Sequence, residues 1–120
     1  MKRLVSILGL LLFCSGAPAA SSNDEAFRTL ADEYVSDLTS FSRVGATLIG
    51  DHSADHELDR VDDAGRAEVL SLLKDYQAAL ERLDFDDLSR ANQIDADLLL
   101  HHIESSIWKI EELQEWAWNP

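Results

Sequence analysis

Apolar side chains in this chain recur every three or four residues, a period that admits little besides α-helix. Phe27, Leu30, Tyr34, Leu38 and Phe41 form one stripe, and Val69, Leu72, Leu73, Tyr76, Leu80 and Leu83 form a second. Leu99, Ile103, Ile107, Ile110 and Leu113 form a third, widened by Ile94, Leu98 and Trp108. Strand-like alternation is absent, so the spacing predicts an all-α fold of three amphipathic helices. The width of the third stripe predicts a helix that touches more than one neighbour.

Local signals place the ends. Ser22 and Glu25 stand at capping-box spacing where the first helix opens. Residues 44–49 predict a short further turn closed by Gly50, and the polar, aperiodic residues 51–60 an exposed loop. The second helix opens near Asp62 and Asp63 and runs to about Leu83. Phe85 and Leu88 then fill the gap before the third and longest helix, which starts near Ser89. Asp24/Arg28, Asp62/Arg66 and Asp86/Arg90 each set an acid four residues before a base at a helix start. That orientation suits both the side-chain pairing and the helix dipole.

The first nineteen residues read as a secretory signal peptide: basic Lys2 and Arg3, the apolar run 4–13, then small residues with Ala17 and Ala19 in cleavage spacing. A membrane span needs about 20 apolar residues, roughly twice this run. The chain is therefore expected to be exported, periplasmic or secreted, with no membrane span. Residues 20–120 form a single helical segment. Lipid anchoring through Cys14 is the alternative, disfavoured by the bulky Phe13 before it. With Cys14 removed no thiol remains, so neither disulfides nor thiol chemistry are expected. Lys2 and Arg3 aside, eight basic side chains face twenty-three acidic ones. Such a balance repels nucleic acid and anionic lipid surfaces.

Chemistry is hard to find. His52 and His56 are four apart, but Ser53-Ala54-Asp55 between them lacks the glutamate of a zinc-peptidase helix. Adjacent helical residues point about 100° apart, so His101 and His102 cannot face one site together. His101, flanked by Leu98, Ser105 and Trp108, is expected to be half-buried and hydrogen-bonded. Asp84, Asp86, Asp87, Glu111 and Glu112 lack the order of a calcium loop. No catalytic or metal-binding residue is assigned.

Trp108, Trp116 and Trp118 crowd the last stretch. Tryptophan favours sites where its large apolar body is buried and its N–H finds a partner. The cluster is read as helical core or interface, and the covering surface is expected on further sequence or on another chain.

Several segments in order carry a family resemblance: residues 46–52 ending in Gly50-Asp51-His52, the helix opening Asp95-Ala96-Asp97, and the closing Trp116-Ala117-Trp118-Asn119-Pro120. This order resembles the amino-terminal region of the bacterial domain-of-unknown-function 885 family, exported helical proteins similar to zinc-dependent carboxypeptidases. The resemblance implies a non-catalytic helical portion that braces the fold or substrate channel of a longer protein. It implies peptide as the full-length protein's substrate and the remaining carboxy-terminal part as this segment's partner. Zinc would belong to that longer protein and not to this chain; the only His-Glu here, His56-Glu57, continues Leu58-Asp59-Arg60, unlike the family's metal segment. Gly50, Asp51, His52, Asp95, Asp97, Trp116, Trp118, Asn119 and Pro120 are structural candidates, with Gly50 a permissive corner and Asn119-Pro120 a helix stop. The rival expectation is a free-standing periplasmic helical protein that binds a partner through its third helix and tryptophans.

Overall fold

A computed structural model describes residues 22–119. The stretch expected to be a signal peptide, Cys14 and Pro120 lie outside them. Every described element is helical: α1 (Ser22–Phe41), α2 (Arg43–Leu48), α3 (Asp63–Leu80), a 3-10 turn (Phe85–Asp87), α4 (Arg90–Trp108), a π turn (Lys109–Leu113) and α5 (Glu115–Trp118). The three stripes mark α1, α3 and α4, which pack pairwise against one another. Their order is up, down, up. Asp24 of α1 meets Asn92 near the start of α4, and ten residues along each helix Tyr34 meets His102. The two helices therefore run parallel, with α3 returning between them.

Phe27, Tyr34, Leu73, Tyr76, Leu80, Leu88, Ala96 and Ile103 form the buried core, Ile103 with no exposed surface. Leu30, Leu38, Val69, Leu72, Leu83, Leu99, Ile107 and Ile110 pack against it from the edges. Helix α4 does touch two neighbours, but not through the residues that widen its stripe. Ile94, Leu98 and Trp108 are exposed, and Asn92 and Ala96 take the buried places. The tight seam with α1 favours a small side chain and an amide over large apolar groups. In the connector Leu88 is buried, while Phe85 is covered over most of its surface and keeps 39% exposed.

Caps explain where the helices begin. Ser42 accepts from the Gly45 N–H, Asp62 from the Gly65 N–H, and Ser89 from the Asn92 N–H. Each satisfies a donor that the helix cannot. Gly65 is buried because a Cβ there would stand 2.6 Å from the Arg60 carbonyl; the loop crosses α3 at backbone contact. Gly50, at φ +96°, closes α2 as the sequence predicts. Helix α3 stops at Leu80, three residues before Leu83.

The acid–base punctuation is rearranged. Arg66 bonds to Asp63 and the Val61 carbonyl, while Asp62 caps α3 and faces Arg60. Arg90 bonds to Gln93. Asp24, four residues before Arg28 at the start of α1, is only 4% exposed. One of its carboxylate oxygens accepts from the Ser89 N–H at 2.9 Å and from the Asn92 amide at 2.6 Å.

Removing that acceptor strands two donors, and an unsatisfied buried group costs about 1–3 kcal/mol. Asp24→Ala should lower the free energy of unfolding by about 2–4 kcal/mol, with Asp24→Asn milder, as read by urea denaturation. The Gly65 N–H holds the Asp62 carboxyl below its ordinary value of 3.8. A lowered folded-state value means a contribution to stability that is full above the ordinary, unfolded-state value and is lost as pH falls through the folded-state one. Acid titration should therefore remove the contribution of this cap, and Asp62→Asn should flatten that part of the curve.

Candidate functional site

Exposed apolar surface gathers at the end of the bundle where α1 stops and α3 starts. Val44 and Leu48 of α2, its cap Ile49, Leu58 and Val61 of the following loop, and Trp108, Trp116 and Trp118 are all exposed. Helix α4 ends here by a change of pitch. The Gln114 N–H donates to Lys109, five residues back, and Gln114 itself adopts the left-handed conformation at φ 49°. A break of this kind frees the last carbonyls of the helix. The Trp116 indole N–H donates to the Ile110 carbonyl at 3.4 Å, and that of Trp118 to the Leu113 carbonyl at 3.0 Å.

Both tryptophans thus obtain their polar partner without burying their rings, and 50% of Trp116 and 62% of Trp118 remain exposed. The Arg66 guanidinium lies 4.1 Å from the Trp116 ring centroid, a contact worth about 0.5–1 kcal/mol at an exposed site. Lys74 reaches Glu111 at 2.6 Å, so two basic side chains of α3 hold the π turn and α5.

Beside this end the loop folds back on α2. Asp59 accepts from the Arg43 N–H at 2.5 Å, and Glu57 pairs with Arg43 at 2.6 Å. Asp55 accepts from the Thr47 hydroxyl at 2.7 Å and lies 3.0 Å from His52 Nδ1. Asp51 accepts from the Ser53 N–H at 3.0 Å, which lowers its pKa from the usual carboxylate value. Gly50, Asp51 and His52 therefore form a corner stitched into its own loop. Among the described residues no group of three or more His, Cys, Asp or Glu is placed to hold a metal ion.

The other candidates do not join that corner. Asp95 and Asp97 lie exposed on α4, Asp95 lining a groove against α1. Asn119 is extended at φ −109°, ψ 99°, and its amide bonds to Glu115; an extended backbone is what a following proline requires. His101 is exposed, contrary to the half-buried place expected for it. His102 is the one that meets the core rim, edge-on to Tyr34 at 6.2 Å between ring centroids.

A polar-aromatic group in the core went unread in the sequence. Tyr34 and Tyr76 stack edge to face at 5.2 Å, and the Tyr76 hydroxyl donates to Asp37 at 2.7 Å. Burial and the Asp37 carboxylate raise the Tyr76 pKa. Burial alone raises that of Tyr34, whose hydroxyl finds no partner among the described residues.

The geometry defines an all-α, up-down-up three-helix bundle with an aromatic end. Comparison with protein-family models, curated proteins and solved structures finds no match to the chain.

The two tyrosines should respond oppositely to loss of the hydroxyl. Tyr76→Phe leaves Asp37 short of a donor and should cost about 1–2 kcal/mol. Tyr34→Phe removes a buried, unmatched group and should leave stability unchanged or raise it. Thermal and urea unfolding of both variants check this.

Proposed function

We propose that this chain is the amino-terminal, non-catalytic helical part of an exported zinc-peptidase-like protein, where it braces the fold or walls the substrate channel. The observation that carries the reading is the half-exposed tryptophan end. Apolar patches of this kind on soluble proteins commonly mark interfaces. Trp116 and Trp118 are already hydrogen-bonded and held by α3, so an ordered aromatic surface is on offer without further folding. Order of this kind lowers the entropy cost of association. The segments around Gly50-Asp51-His52 and Trp118-Asn119 support the family resemblance, and zinc with its peptide chemistry would reside in the remaining carboxy-terminal part. Within the described residues no helix is long and apolar enough to cross a membrane.

A second reading is favoured by one observation. The core closes around Ile103 and the Asp24–Asn92 bond without help from the aromatic end. This suits a free-standing helical interaction module that uses α4 and the tryptophans on a partner. Fluorogenic peptides offered to the purified chain with added zinc should not be cleaved; metal-dependent turnover above background overturns the first reading. Hydrogen exchange separates the two. Protection of all three long helices in a cooperative monomer supports the module, whereas a molten or aggregating chain supports a part that needs its remainder.

A further inference from the structure

The parallel pair α1 and α4 leaves a furrow on the face away from α3. Its first stretch, about 450 Å³, is lined by Phe27, Arg28, Ala31, Asp32, Val35 and Leu99 among others. A second hollow of about 380 Å³ follows it further along α1 and α4, where α2 adds a third wall; Leu38, Thr39, Ala46, Ile49, His102 and Ser106 line it among others. From Asn92 to Ser106 the rise is about 21 Å, close to four helical turns. Ridges of a third helix fit such a trough between two parallel ones. The floor is apolar, and Val35, which lines the first stretch, stands 53% exposed. Asp32 and Asp95 both line the first stretch, with Arg28 one turn nearer its start.

We propose that this furrow docks an amphipathic helix of about four turns, carried by a second protein, with a lysine or arginine set against Asp32 and Asp95. Charge selects this occupant. The chain carries a formal net charge of −13, so a separate basic-flanked helix is drawn in over long range and speeded in its encounter. A second copy would bring the same negative charge and is repelled. The furrow is distinct from the tryptophan end, so the proposal stands or falls apart from the function proposed above.

The test uses the full chain and a fluorescein-labelled 14-residue leucine/lysine amphipathic peptide (about four turns), with its leucine/glutamate counterpart as control, read by anisotropy. The lysine peptide should bind and the glutamate peptide should not. Val35→Glu and Ile49→Glu alter exposed lining positions of the two stretches, so the fold should survive, as circular dichroism checks. Each should weaken the lysine peptide at least tenfold although it adds attractive charge. Ser71→Glu, exposed on α3, adds the same charge elsewhere and should leave binding intact. Asp32→Lys with Asp95→Lys should weaken the lysine peptide at least tenfold. Equal binding of the two peptides overturns the proposal, as does a lysine peptide that responds alike to Val35→Glu and Ser71→Glu. Self-association of the chain alone that Val35→Glu abolishes would make a second copy the occupant, and overturns it too.

Discussion

Two helices that run side by side in the same direction bring their positive ends together, and in this bundle one buried carboxylate offsets that arrangement. Asp24 sits in the first turn of α1, where a negative charge is favoured by the dipole. Its oxygen accepts from the backbone of Ser89, the cap of α4, and from Asn92 inside α4. A single group thus serves both helix starts and fixes their register. The alignment of Tyr34 with His102 further along follows from that anchor, because both rods rise at the same rate. A buried charge is costly unless its hydrogen bonds are made, so the anchor also penalises any sliding of α1 against α4.

The opposite end is held differently. Helix α4 gives up its regular pitch at Lys109, and the carbonyls released there become acceptors for two indoles. Arg66 and Lys74 of α3 then hold the turned segment by stacking and charge. Exposed ion pairs contribute little to stability, so these contacts orient the aromatic surface more than they stabilise the bundle. The result is a compact core at one end and an ordered apolar surface at the other.

Much of the architecture was legible in residue spacing. The stripes through Tyr34, Tyr76 and Ile103 lie where expected, Ser89 caps α4, and Gly50 takes the positive φ assigned to it. The candidate site was legible only in part. The exposed tryptophans were visible as a cluster, but not the pitch change that supplies their hydrogen bonds, since nothing in Lys109–Leu113 forbids regular helix. The burial of Asp24 was not legible, because acid–base spacing within one helix says nothing of donors that arrive from another. The burial of Asn92 and Ala96 likewise depends on how closely α1 approaches.

The amino-acid sequence by itself determined which stretches are helical and which face of each is apolar, because side-chain period and capping are local properties of the chain. Tertiary structure alone decided which helices lie parallel, which carboxylate is buried, and which apolar residues stay outside. Those outcomes depend on distances between elements far apart in sequence, where packing geometry and the need to satisfy every buried donor select among pairings that local pattern leaves equal.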